Sequence, residues 1–287
     1  MKISISSYSF QYDISRHAET QFSVIKKAKE LGADAIEFTD LIPTGGITQL
    51  EYAKQLRIEA KNQGVEISAY SVGGNFLTKD INEEVERLKA QVEVAAELGV
   101  KLMRHDIGYV FPREVRKNRG FADIVDVLAD GCRRITEYAA TKGIRTMIEN
   151  HGFFCQDSER VELLVNRVAH DNFGLLVDIG NFLCADESPI TAVSRTAPYA
   201  IYFHIKDFIF KSGQECCIGK GFIQTRGGNY IRGTVAGQGV VPVSQCVAIL
   251  KKAGYDGYLS LEFEGPERLD YALSEGIGYI KRICESL

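Results

Sequence analysis

The sequence has 287 residues, of which 45% are hydrophobic and 25% charged, and a formal net charge of −4. These values fit a globular domain whose core needs no disulfide or structural metal. They exclude the basic footprint of a nucleic-acid binder.

Seven cysteines at irregular spacings, with Cys216 and Cys217 adjacent and no CxxC, argue against a disulfide framework. The opening MKISISSYSF is strand-like and lacks a signal-peptide core. No segment reaches the ~20 apolar residues of a membrane span. The expectation is a reduced, cytoplasmic protein with neither nucleic acid nor membrane as partner.

In chain order, a first strand is predicted over residues 3–7, followed by SSYSFQYDIS, a turn without glycine. A helix follows over 20–32, with Thr20 as N-cap and Phe22, Ile25 and Leu31 on one face. Strands at 34–38 and 65–70 come next. A helix over 81–99 then places Val85, Leu88, Val92 and Ala95 at helical spacing, with Glu83 and Glu84 in its first turn. Further strands are predicted at 100–105, 144–149, 173–178, 200–205 and 257–263. A glycine repeatedly separates helix from strand, as in LGADAIEF, QGVEISAY, LGVKLMRH, KGIRTMIEN and AGYDGYLSLEF. Glycine there permits a left-handed helix cap and a tight connection.

Eight alternating units of this length predict one (β/α)₈ TIM barrel over residues 1–287. An open doubly wound sheet would favour a glycine-rich turn after the first strand, and none is present. Residues 208–239 break the alternation. FIQT and YIRGTV flank RGGN at Arg226–Asn229, which predicts a β-hairpin-like insertion after strand seven. Such an insertion either builds the site or is a surface excursion or subunit contact.

Strands five to eight end in Glu149, Asp178, His204 and Glu262. Burying an ionised carboxylate is costly unless it is paired or binds a metal. No Arg or Lys alternates with these four, so salt bridging is a poor account of them. Closure of the barrel brings the four ends together around one divalent ion. An oxygen-rich set with a single imidazole suits Mn²⁺ first, then Mg²⁺ or Co²⁺, with Zn²⁺ also compatible.

The motifs ENHG (Glu149–Gly152), VDIGN (Val177–Asn181), HIKD (His204–Asp207), GQGVVPV (Gly237–Val243) and GYLSLEFEG (Gly257–Gly265) resemble the xylose isomerase-like TIM-barrel superfamily of sugar phosphate isomerases and epimerases. The resemblance implies a metal held by Glu149, Asp178, His204 and Glu262, with the two glutamates as acid/base pair. It implies proton abstraction beside a ketose carbonyl, through an enediolate. The alternative is a dehydratase (a lyase) of an inosose- or dehydroshikimate-like cyclic ketone. The AP-endonuclease branch of the fold needs further histidines that this chain lacks, and a non-catalytic sugar-binding barrel would not need both glutamates.

Candidate substrate contacts are His151, Lys206, Asn181, Arg232, Glu37 and His105. Asn181 stands where several relatives carry His. Arg104 is expected to pair with Glu37, Glu264 ranks behind Glu262 as ligand, and Tyr8 and Phe10 form a candidate apolar wall. The GQG run at Gly237–Gly239 is either a phosphate cradle or a turn. The expected partner is a small sugar or cyclitol, and a homo-oligomer is an open option.

Overall fold

The computed structural model describes residues 1–77, 80–109, 120–215 and 218–287. Eight parallel strands close into a barrel: β1 (Lys2–Ser6), β2 (Ala35–Phe38), β3 (Glu66–Val72), β4 (Leu102–His105), β5 (Arg145–Glu149), β6 (Phe173–Asp178), β7 (Ala200–Ile205) and β11 (Tyr258–Leu261). The ring closes where β1 pairs with both β2 and β11. Each of the eight predicted strands is present, with ends within two residues of expectation.

The helices pack outside. Among the described residues they include α1 (Gln11–Ser15), α2 (Ser23–Glu30), α3 (Gln49–Gln63), α4 (Ile81–Leu98), α5 (Val125–Thr141), α6 (Ser158–Val168), α7 (Pro189–Thr196), α8 (Val243–Lys252) and α9 (Leu269–Ser286). α4 buries the predicted stripe of Val85, Leu88, Val92 and Ala95. It ends at Gly99, whose φ of 80° is the left-handed conformation that the sequence anticipates. α2 starts at Ser23, three residues later than predicted, yet Thr20 still serves it: its hydroxyl accepts from the Ser23 N–H at 3.1 Å. No helix among the described residues is long and apolar enough to cross a membrane. Cys132, Cys155, Cys184, Cys246 and Cys284 are free thiols, while Cys216 and Cys217 lie outside the described residues.

One large apolar cluster spans the strands and helices, and a separate small one comprises Ala69, Met147, Leu176 and Tyr202. Each of those four stands two residues before a polar residue of the barrel mouth: Ser71, Glu149, Asp178 and His204. Side chains two apart on a strand share a face. The small cluster is therefore the floor on which the site rests. Tyr202 completes it by hydrogen bonding Ser68 at 2.7 Å, and Ser68 in turn bonds Ser4 at 2.8 Å.

The predicted hairpin is present as β9 (Ile223–Gln224) and β10 (Tyr230–Thr234), paired antiparallel. A further strand, β8 (Asp207–Lys211), pairs with β10 and makes a three-stranded sheet in the order β8-β10-β9. Only Lys206 separates β7 from β8. The apolar run continues through both, so nothing in its periodicity marks where the chain leaves the barrel. Phe208, Ile231 and Cys184 form the seam between insertion and barrel. The RGGN turn is held by Asp186, which accepts from Thr225 and Asn229 at 2.7 Å each and from the Gly227 N–H.

The GQG run is a turn. Gly237 and Gly239 each donate an N–H to Asp207 Oδ2 at 2.9 Å, and Val241 donates to Oδ1 at 3.0 Å. The donors that a phosphate would use are bonded to an internal carboxylate. Gly239 is required by proximity, since a Cβ there would lie 2.2 Å from Asp207 Oδ1. Of these donors Val241 is buried and Gly239 half-buried, and leaving a buried N–H unpaired costs about 1–3 kcal/mol. Asp207→Ala is therefore expected to lower unfolding free energy by about 3 kcal/mol. Urea unfolding followed by circular dichroism checks this; an unchanged midpoint would contradict it.

Candidate metal and active site

Glu149, Asp178, His204 and Glu262 meet at the C-terminal end of the barrel. One ligand atom from each lies within 4.8 Å of all the others, and all four residues are buried. Register explains the convergence. Asp178 and His204 are direct partners between β6 and β7, and the Glu262 N–H continues the β11–β7 pairing by donating to Ile205 at 3.0 Å.

Each group has one set of atoms fixed and another left facing the cluster. Asp178 Oδ1 accepts the N–H groups of Gly180 and Asn181 at 2.8 and 2.9 Å. The Asn150 side chain grips the Asp178 backbone, with its Oδ1 accepting at 2.9 Å and its Nδ2 donating at 2.8 Å. His204 Nε2 is bonded to Glu37 Oε2 at 2.7 Å. Glu37 in turn accepts from Ser71 Oγ at 2.5 Å and Ser260 Oγ at 3.0 Å. His204 Nδ1 is buried without a hydrogen bond, and Asp178 Oδ2 is buried with the Lys206 ammonium 3.2 Å away. His204 Nδ1 lies 3.9, 3.7 and 3.5 Å from carboxylate oxygens of Glu149, Asp178 and Glu262. An unbonded imidazole nitrogen facing three carboxylates fits a divalent cation. A metal-ligating imidazole whose other nitrogen is bonded to a carboxylate is a familiar ligand arrangement.

The sequence reading that no cation accompanies the four residues is corrected here. Lys206 Nζ contacts Glu262 at 2.5 Å, Asp178 at 3.2 Å and Glu264 at 3.2 Å. Lys206 lies two residues beyond His204 and so enters the same space. Arg104 reaches across from β4 to Glu149 at 2.6 Å and Asp106 at 2.7 Å. It does not pair with Glu37, whose partner is His204. Burial pushes the Glu149 carboxyl above its ordinary pKa although Arg104 opposes this. Burial also acts on Glu262, but Lys206 and His204 overcome it and hold that carboxyl well below the usual range.

The cavity above the cluster has a volume of about 230 Å³. Six carboxylates line it (Glu37, Asp40, Asp106, Glu149, Glu262 and Glu264), against two permanent cations, Arg104 and Lys206. This excess of negative charge suits a bound cation.

Of the predicted substrate contacts, His151, Lys206 and Glu37 line the cavity. His151 Nδ1 lies 3.2 Å from Asp106 Oδ1, and its ring meets Tyr109 edge-on at 5.5 Å. Asn181 sits just behind, donating to Glu149 at 2.9 Å and accepting from Lys206 at 3.3 Å. Two residues are placed elsewhere. His105 points into the packing against Phe76, and burial lowers its pKa to about 4. Arg232, on β10, stacks 5.1 Å from the Phe222 ring. The described insertion residues do not line the cavity. Tyr8 lines it, whereas Phe10 is core. Asp106 and Tyr109 were missed, although RHDIGY puts polar residues after an apolar strand just as ENHG does.

The chain matches the family described as xylose isomerase-like TIM barrel over residues 25–283. The chain belongs to that family. Curated relatives include the uncharacterized protein YihM of Escherichia coli K12, 25% identical over 75% of this chain and 58% of its own length. The inosose dehydratase of Geobacillus thermodenitrificans is 26% identical over 55% of this chain and 54% of its own. The chain thus spans little more than half the length of these two relatives. Similar solved structures include the probable 3-DHS dehydratase AsbF of Bacillus anthracis (TM-score 0.73, 18% identity, 98% of this chain and 99% of that one). D-psicose 3-epimerase in the presence of D-fructose is another (0.71, 16%, 99% of each). A xylose isomerase-like TIM-barrel protein of Mycobacterium smegmatis, in complex with magnesium, is a third (0.71, 19%, 92% and 88%). At these identities the structures show the shared fold.

Replacing Glu37 by Gln keeps a hydrogen-bond acceptor for His204 but removes the charge. Metal affinity is expected to fall by about tenfold or more, as for other carboxylates behind a ligating histidine. Calorimetric titration of both proteins with Mn²⁺ checks this; equal affinities would show that Glu37 does not hold the ligand.

Proposed function

We propose that this protein is a sugar isomerase or epimerase dependent on one divalent metal ion, working by proton abstraction next to a ketose carbonyl. The observation that supports the reading best is the pair Glu149 and Glu262. They enter one cluster from β5 and β11, on either side of His204 and Asp178, each braced by its own cation, Arg104 or Lys206.

Bound by Glu149, Asp178, His204 and Glu262, the ion would supply Lewis acidity toward a carbonyl and its neighbouring hydroxyl. The donor set of three carboxylates and one imidazole favours Mn²⁺, with Mg²⁺, Co²⁺ and Zn²⁺ also compatible. In this reading one glutamate, as the carboxylate, takes the proton from the carbon beside the carbonyl. In an epimerase the other glutamate, starting protonated, delivers its proton to the opposite face of that carbon, and in an isomerase the proton is returned to the neighbouring carbon. Asn181 fixes the Glu149 carboxylate through its amide. Lys206 and His151, which both line the cavity, offer donors to substrate hydroxyls. Glu37, bonded to His204, orients that ring and leaves the substrate to others. His105 and Arg232 have no part in this scheme.

A second reading, a dehydratase of a cyclic ketone, shares the first step and then expels a β-hydroxyl. The inosose dehydratases among the relatives favour it, as does His151, which lines the cavity against Asp106 and in this reading protonates the departing hydroxyl.

Incubation with a ketose panel in D₂O separates these readings. The isomerase reading expects deuterium at carbon next to the carbonyl. The dehydratase reading expects new enone absorbance with inosose or dehydroshikimate. Glu149→Gln and Glu262→Gln are each expected to slow turnover by about 10²–10⁴-fold, the usual contribution of a positioned general base. Turnover retained in both variants would refute the two-glutamate mechanism.

A further inference from the structure

The catalytic cavity opens beside a second depression, a groove of about 660 Å³. Tyr8 and Glu264 belong to both and form their common wall. The groove runs between the segment after β1 and the segment after β11. Tyr12, Gln11 and Asp13 line it from one side, and Phe263 and Glu267 from the other. All its lining residues are described. We propose that this groove binds an uncharged second sugar ring, so that the ketose at the catalytic cavity arrives as part of a glycoside or disaccharide. The proposal rests on the reading of the cavity as a ketose site.

Size is the first argument. At about 230 Å³ the catalytic cavity falls below the ~300–1,000 Å³ typical of small-molecule pockets, and the adjoining groove brings the combined space into that range. Chemistry is the second. α1, which carries Tyr12, buries none of its residues, and Tyr12 itself is 66% exposed. Its ring is thus presented to the groove instead of to the core. One guanidinium, that of Arg16, packs 5.1 Å from the ring and steadies it. Aromatic rings flanked by amide and carboxylate groups offer a sugar both apolar faces for its C–H groups and acceptors for its hydroxyls.

Charge is the third argument. No Lys or Arg lines the groove, whereas Asp13, Glu264 and Glu267 do. Glu264 is paired with Lys206 and Arg16 is stacked on Tyr12, but a phosphate or nucleotide would still meet Asp13 and Glu267 with no Lys or Arg in the lining, and a neutral ring avoids that repulsion. The GQG turn offers no alternative cradle, because its N–H groups are bonded to Asp207.

The test follows deuterium entry from D₂O with the Mn²⁺-supplemented protein and four probes: D-fructose, the glucosyl-fructoses maltulose and isomaltulose, and D-fructose 6-phosphate. At least one glucosyl-fructose is expected to show a KM about fivefold below that of fructose, the scale of one aromatic contact. Fructose 6-phosphate is expected to show a higher KM than fructose. Tyr12→Ala should bring the KM of the disaccharide up to that of fructose, while Tyr12→Phe retains the preference. Equal KM values for fructose and both disaccharides, or a ratio that survives Tyr12→Ala, would overturn the groove proposal alone. No exchange with any ketose would overturn both it and the isomerase reading.

Discussion

Parallel pairing in a closed sheet is the constraint on which the site depends. Strands held side by side in one direction end at one rim, and alternation sends every second side chain inward. The pairing of Asp178 with His204 is therefore fixed by the backbone, with the Glu149 and Glu262 strands on either side. The floor of Ala69, Met147, Leu176 and Tyr202 closes the barrel beneath them and keeps the charged end apart from the apolar one. Without closure, β5 and β11 would lie too far apart to share a ligand.

Like charges brought so close repel, and the surrounding residues offset that repulsion in three ways. Backbone N–H groups satisfy one oxygen of Asp178. Glu37 and its two serines hold His204 from behind. Arg104 and Lys206 brace the two glutamates from opposite sides. Asn181 joins the last two systems, since its amide donates to Glu149 and accepts from Lys206. Position 181 thus carries a residue with a donor and an acceptor at the fixed spacing that these two partners need.

The four-residue cluster was legible in the sequence because each member interrupts an apolar strand at the same relative place. The partners were not legible. Glu37 and Arg104 both read as buried charges of opposite sign, and a mutual pair was the simplest inference. The register between β2 and β3 shifts between Ile36 and Glu37, and no pattern of residue types announces that irregularity. It accompanies a Glu37 side chain bonded to Ser71 and His204 instead of to the expected arginine. β8 was hidden for a different reason: its residues continue the apolar run of β7, and composition does not record which sheet a strand joins. Family membership follows from the chain as a whole, while the segment around Tyr12 buries few residues and has little periodicity to read.

Asp207 holds the GQG turn from within the chain. The loops after the late strands of such barrels are where phosphate is often bound, by backbone N–H groups gathered at a glycine-rich turn. Here the gathering is intact but its anion is covalently part of the chain. An internal carboxylate has no translational freedom to lose, so no phosphate dissolved at ordinary concentration competes with it for those donors. One aspartate, placed immediately after the strand that carries His204, thereby converts what could have been an anion receptor into a latch between barrel and insertion.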